Sequence, residues 1–173
     1  MLTLRQRCER IELLVLDVDG VLTAGGIVLG SGDEELKTFH VRDGQGLAVW
    51  HRAGKRTAII TGRTSRLVER RAAEVGIGHV QQGRQDKLAG LEELLAALGV
   101  AAEATAYVGD DLPDCPCLRR VGLGVAVADA CPEARSAAHY VTAAGGGTGA
   151  VREAIERILR CQGRWPAFGE PGA

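Results

Sequence analysis

A chain of 173 residues has the length of a single domain, able to bury roughly 70% of the surface its unfolded form exposes. With 21 Lys and Arg against 22 Asp and Glu, a net charge of −1 and no block of like charges, it offers no electrostatic footprint for nucleic acid or for an anionic membrane. Five scattered cysteines, Cys8, Cys115, Cys117, Cys131 and Cys161, form no even disulfide framework; with no apolar signal core at the start and no run approaching the roughly 18 residues of a membrane span, a cytoplasmic location is expected.

The first predicted element is the apolar strand Leu13–Leu16, which ends in Asp17, Asp19 and Gly20. Ile27–Leu29 and Glu35–His40 flank the polar turn "GSGDEE" and predict a β-hairpin inserted over residues 24–41. Short apolar runs suited to buried parallel strands then recur at Thr57–Ile60, Gly78–Gln81, Thr105–Val108 and Gly124–Val127. Helical patterns fall between and after them, at Gly46–Ala53, Ser65–Val75, Lys87–Leu98, Asp114–Arg120, Pro132–Ala138 and Ala150–Arg160, with Gly54, Gly76 and Gly99 placed as C-caps. This alternation predicts an α/β fold, a Rossmann-like three-layer sandwich with a mostly parallel sheet and no cap domain. One domain is expected over 1–162, followed by a flexible tail, 163–173, carrying Trp165 and Phe168.

Ligands of such sheets bind beyond the carboxyl ends of the strands. The residues there form a coherent set: Asp17 and Asp19, then Thr61, Gly62 and Arg63, then Lys87, then Asp110 and Asp111 with Asp114 beyond. Carboxylates from different strand ends suit one hard, oxygen-preferring cation of the Mg²⁺ type. A hydroxyl and a lysine complete a phosphate pocket. A carboxylate can also serve as a nucleophile that takes up a phosphoryl group, with a second aspartate supplying the leaving-group proton.

The order DxDG, TGR, a lone lysine and GDDxxD resembles the haloacid dehalogenase-like superfamily of phosphohydrolases. The resemblance implies Asp17 as nucleophile, Asp19 as general acid and base, and Thr61 and Lys87 as ligands of the phosphoryl group. It also implies Mg²⁺ held by Asp17, the main-chain carbonyl of Asp19 and Asp110, with Asp111 and Asp114 in support. From about Leu13 to Arg160, the stretches "DVDGVLT", "EELKTFHVRDGQG", "AIITGR", "YVGDDLPD" and "GGGTGAVRE" look like the 3-deoxy-D-manno-octulosonate 8-phosphate phosphatases, a capless family that assembles as tetramers through its hairpins. That closer resemblance implies a sugar-acid phosphate substrate in lipopolysaccharide precursor synthesis, substrate binding by Gly62, Arg63 and Arg71, and a homotetramer. Departures at Thr64, Arg66, Thr148 and Cys115-Pro116-Cys117 leave the chemistry in place and bear on the sugar. A nine-carbon acylneuraminate-type phosphate is the alternative substrate, and a non-catalytic oligomerisation module the alternative of another class.

Other features have plainer readings. Cys115 and Cys117 lack a second ligand pair for zinc, and His40, His51, His79 and His139 show no ligand spacing. Gly145-Gly146-Gly147 lacks the Lys-Ser/Thr of a P-loop and predicts a tight turn before the last helix. The hairpin residues Ile27, Val28, Leu29, Leu36, Phe39 and Val41 supply more apolar surface than an isolated ribbon buries, which points to a subunit interface.

Overall fold

The computed structural model describes residues 2–32 and 34–166. Its centre is β1 (Leu13–Leu16), four consecutive buried residues that pair in parallel on both sides, with β4 (Arg56–Ile60) and β6 (Thr105–Gly109). The sheet continues from β4 to β5 (His79–Gln81), and from β6 through β7 (Leu123–Ala126) to β8 (Tyr140–Val141); every pairing is parallel. The chain therefore winds outward from β1 in both directions, and the carboxyl end of β1 lies at the point where the strand order reverses, the place such sheets use for ligands.

Local chemistry explains the helices. Helix α2 (Val41–Arg52) starts at His40, whose Nδ1 accepts the Arg42 N–H, and α3 (Arg66–Glu74) starts at Ser65, whose hydroxyl accepts from Leu67. Helix α4 (Lys87–Leu98) is capped by the Asp86 carboxylate and closed by Gly99 at φ +62°. Helices α5 (Cys115–Arg120) and α6 (Pro132–Ala137) are short. The longer α7 (Ala150–Cys161) buries Val151, Ala154, Ile155, Ile158 and Leu159, one apolar stripe at helical spacing. It packs on α2 and on α1 (Leu4–Cys8), an N-terminal turn closed by a Thr3–Gln6 capping box, while α4, α5 and α6 form a second packed group. Trp50 and Tyr107 are the largest fully buried side chains.

Three expectations are corrected. The hairpin is shorter than the sequence suggests, with β2 (Val28–Leu29) and β3 (Glu35–Leu36) joined by two residue pairs, and Val41 belongs to α2, because His40 turns the chain into the helix. Helix α2 begins five residues before its predicted start at Gly46. Residues 163–166 are not a free tail: Arg164 and Trp165 donate main-chain bonds to Leu159, and the Trp165 ring stacks on Arg152, 4.6 Å from its centroid. Phe168 lies outside the described residues. Among the described residues no helix is long and apolar enough to cross a membrane.

Candidate active site

Asp17 follows β1 directly, and its N–H still bonds the Val108 carbonyl at 3.0 Å, so the sheet fixes it. Beyond it the chain curls tightly, with Val21, Leu22 and Thr23 all donating to the Val18 carbonyl. Gly20 makes this curl possible at φ +89°. Asp17, Asp19, Thr61, Gly62, Arg63, Lys87, Asp110 and Asp111 line one cleft of about 170 Å³, together with Arg84, Gln85 and Pro113. Four strand ends distant in sequence thus meet at one place. Thr61 is free to face the cleft, since the cap of α3 is Ser65.

Asp114 stands behind the cleft, fully buried. One oxygen accepts from Lys87 Nζ at 2.7 Å and from the Tyr107 hydroxyl at 2.7 Å, and the other from the N–H groups of Asp110 and Asp111 at 3.1 and 3.2 Å. Its carboxylate is therefore filled, and its work is to hold Lys87 and the Asp110 loop. Gly109 leaves it room, because a Cβ there would fall 2.5 Å from that of Asp114. Lys87 Nζ also meets Asp17 Oδ2 at 2.8 Å.

Among the described residues that line this cleft, two buried oxygens are without a partner, Asp17 Oδ1 and Asp110 Oδ1. Oxygens of Asp17, Asp110 and Asp114 all lie within 4.8 Å of one another. Burial, then the Asp114 charge, raises Asp17 to about 6 in spite of Lys87; burial, then Asp17 and Asp114, raises Asp110 to about 7. An all-oxygen set with two orphaned acceptors and uncompensated negative charge fits a hard divalent cation. Burial works against the charge on Lys87, and the two aspartates outweigh it, so its pKa is raised.

The triple glycine backs this arrangement. A Cβ on Gly146 would fall 1.8 Å from the Gly20 carbonyl oxygen, and the Gly147 N–H donates to Val21 at 2.9 Å. The expected turn before the last helix is thus also a brace for the DxDG loop.

Comparison with known proteins bears directly on this geometry. Residues 79–155 match the model of the haloacid dehalogenase-like hydrolases. The chain is 51% identical over 158 residues to 3-deoxy-D-manno-octulosonate 8-phosphate phosphatase KdsC of Escherichia coli (strain K12), covering 91% of this chain and 84% of that protein. It belongs to the 3-deoxy-D-manno-octulosonate 8-phosphate phosphatase family of haloacid dehalogenase-like hydrolases. The crystal structure of the phosphatase from Moraxella catarrhalis, in complex with a magnesium ion, a phosphate ion and a KDO molecule, superposes with a TM-score of 0.93 at 44% identity, covering 95% of this chain and 94% of that one. A probable YrbI family phosphatase from Pseudomonas syringae gives 0.91 at 52% identity over 92% and 91%.

Beyond the motifs that mark this phosphatase family, the structure brings in residues that motif reading missed. Lys37, from just past β3, donates to Asp19 Oδ1, and Glu35 accepts from Arg63 at 3.3 Å and from the Ser65 hydroxyl at 2.5 Å. Period-two alternation turns Glu35 and Lys37 inward, but on a strand of two residues that signal is too short to read in a sequence. Arg71 does not line the cleft. It lies on α3 about 9 Å along the axis from Ser65, pairs with Glu74 at 3.1 Å and stacks on Phe39. Cys117 is a packing residue whose thiol burial pushes up to about 12, and among the described residues neither it nor Cys115 belongs to a cluster of side chains that could hold a metal. His51 bonds the Thr57 hydroxyl and His139 accepts from the Gly124 N–H, both structural roles.

Proposed function

We propose that this chain is a Mg²⁺-dependent phosphomonoesterase that hydrolyses 3-deoxy-D-manno-octulosonate 8-phosphate to the free sugar acid and phosphate, in lipopolysaccharide precursor synthesis. The observation that carries the proposal is the pair of buried, unpartnered oxygens on Asp17 and Asp110, at the end of β1 and of β6, in a chain 51% identical to a phosphatase of that name. Asp17, the main-chain carbonyl of Asp19 and Asp110 would hold the cation, supported by Asp111 and Asp114. When bound, Mg²⁺ offsets the repulsion between the Asp17 carboxylate and the phosphoryl oxygens.

The residues of this chain do the rest. Asp17 attacks phosphorus and takes up the phosphoryl group as an aspartyl phosphate, one difficult displacement split into two easier ones. Lys87, held between Asp17 and Asp114 at 2.8 and 2.7 Å, and Thr61 bind the phosphoryl oxygens as charge builds on them. Asp19 gives a proton to the departing sugar oxygen and later accepts one from the water that hydrolyses the aspartyl phosphate. Gly62 and Arg63, on the loop after β4, contact the substrate at the mouth of the cleft.

The active unit in this reading is a cytoplasmic homotetramer. Its support is the hairpin, where Leu29 is 70% and Leu36 64% exposed, and the five free cysteines, which suit a reducing compartment. The test is phosphate release from a panel of ulosonate phosphates with and without Mg²⁺. The eight-carbon 8-phosphate should be preferred at least about tenfold in kcat/KM, a margin one or two pocket contacts supply. Preference for a nine-carbon 9-phosphate would overturn the substrate, and undiminished turnover by Asp17→Asn would overturn the chemistry.

A further inference from the structure

Asp19 sits between two cations. Lys37 donates to its Oδ1, and Arg63 Nε faces its Oδ2 at 3.6 Å. The two cations differ in how firmly they are held. The Arg63 side chain is half exposed, whereas that of Lys37 is 2% exposed, with Asp19 and, at 3.6 Å, Glu35 as its charged partners. An ammonium so far removed from water has a strong electrostatic reason to stay on its carboxylate.

Lys37 does not come from the sheet that carries the motifs. It follows β3, and the alternation of that strand sends Glu35 and Lys37 to the cleft while Leu36 points outward. Glu35 anchors this end of the hairpin to the loop after β4 through Arg63 and to the N-cap of α3 through Ser65, and Ser65 is in turn fixed by Gln82, which accepts its N–H at 2.8 Å. The ammonium therefore has a rigid mount independent of the Asp17 loop.

We infer that Lys37 is a positioning residue for leaving-group departure: delivered by the hairpin, it holds the Asp19 carboxyl group at the angle from which the proton reaches the ester oxygen. The inference rests on the phosphomonoesterase reading above and adds a residue to it. The step it serves is the displacement at phosphorus. An Asp17 oxygen forms a bond to phosphorus, the phosphorus–oxygen bond to the sugar breaks, and the electron pair left on the sugar oxygen takes the proton from Asp19. In the second step a water oxygen bonds phosphorus, its proton goes to Asp19, and the Asp17–phosphorus bond breaks.

Leaving groups of different basicity isolate this role. An alkoxide leaves only with a proton, while p-nitrophenolate leaves without one. The experiment compares Lys37→Met and Lys37→Arg with the wild type, all with Mg²⁺, on the sugar-acid phosphate, on a simple alkyl phosphate and on p-nitrophenyl phosphate. It follows the pre-steady-state release of nitrophenolate as well as steady-state turnover. Lys37→Met should lower kcat on the alkyl esters by about 100-fold, the low end of what a positioned proton donor supplies, with KM within about threefold. It should release the first equivalent of nitrophenolate at close to the wild-type rate and then stall as aspartyl phosphate accumulates. Lys37→Arg should recover about tenfold of the alkyl loss.

An equal loss on all three substrates, burst included, would reduce Lys37 to a structural residue, and a Lys37→Met enzyme within twofold of wild type on the alkyl esters would remove the role altogether. If Lys37→Met fails to fold, the same ratio of alkyl to aryl losses is read on Lys37→Arg. Failure of the wild type on the sugar acid alone overturns the substrate, and Lys37 is then judged on the simple alkyl phosphate.

Discussion

A Cβ atom on Gly20 would lie 2.0 Å from Oδ2 of Asp110, so the glycine of the first motif and the carboxylate of the last occupy complementary space. Gly20 also sits at φ +89°, where a side chain adds strain of about 1–3 kcal/mol. We expect Gly20→Ala to displace Asp110, to lower Mg²⁺ affinity at least about tenfold, the effect of a ligand moved off its site, and to reduce thermal stability. Calorimetric titration with Mg²⁺ reads the first effect and a melting curve the second. Unchanged affinity would place the cation away from Asp110.

Lys87 joins Asp17 and Asp114 in a site nearly closed to water. Removing the cation from such a group strands two buried carboxylates, and losses of about 3–5 kcal/mol are typical. Lys87→Met should show that loss in urea unfolding. Adding Asp114→Asn should recover part of it, because one stranded charge is gone, while activity stays absent. A strictly additive double variant would mean that Lys87 and Asp114 do not share their stabilisation.

The Mg²⁺-free protein should gain stability from Asp110→Asn. Asp110 is raised to about 7, first by burial and then by Asp17 and Asp114, so the folded state holds a proton that the unfolded chain, near 3.8, has released. Its ionisation therefore destabilises the fold most above pH 7, and the penalty shrinks as pH falls from 7 toward 4. Melting temperatures of wild type and Asp110→Asn in chelator should differ most at pH 8, with the variant higher, and converge near pH 4. Comparing the two proteins at each pH cancels His51 and His139, whose lowered pKa values act in the opposite direction. A wild type that stays the more stable protein at pH 8 would contradict the assignment.

Mg²⁺ should compete with the same protons. With Asp17 at about 6 and Asp110 at about 7, binding displaces protons below pH 7 and none well above it. Affinity is then expected to rise from pH 5.5 to 7.5 and level off by pH 8. Heats of binding in buffers of different ionisation enthalpy count the protons released; no release at pH 6 would mean that these carboxylates are not the ligands.

What could be read in the sequence follows from how each feature is encoded. The buried strand β1 is a continuous apolar run, and the aspartates after it are fixed by chain connectivity, so strand and motif were visible together. The sequence pattern opens helix α2 only at Gly46, because Gly44 and Gly46 weaken the helical signal of its first turns. In the fold a Cβ on Gly46 would meet Arg152 backbone at 3.2 Å, so close packing of α7 on α2 favours the glycine and offsets its poor propensity. Helix α1 and strand β8 are too short to show periodicity. Lys37 was hidden for a related reason: its meaning comes from the docking of a two-residue strand, which no local pattern records. Arg71 carries no local signal that would separate a cleft residue from one stacked on Phe39.

The hairpin should prove to be both an interface and part of the cleft. Val28 and Leu36, paired across the hairpin, form its outward apolar face, and Ile27 and Leu29 beside them are also at least half exposed, more apolar surface than a ribbon of two residue pairs covers by itself. The other face carries Glu35 and Lys37 to Arg63 and Asp19, with Leu29 directly across from Glu35. A second copy covering the apolar face would steady the polar one. We therefore expect the intact protein to scatter light as a tetramer. A variant with Val28→Glu and Leu36→Glu should dissociate while keeping its melting transition, since neither side chain belongs to the core. Its kcat/KM should fall at least about tenfold through looser placement of Arg63 and Asp19, within the cost that a misplaced site of about 1 Å carries. A monomeric wild type with full activity would sink the assembly, and a dissociated variant with unchanged kcat/KM would separate the interface from the site.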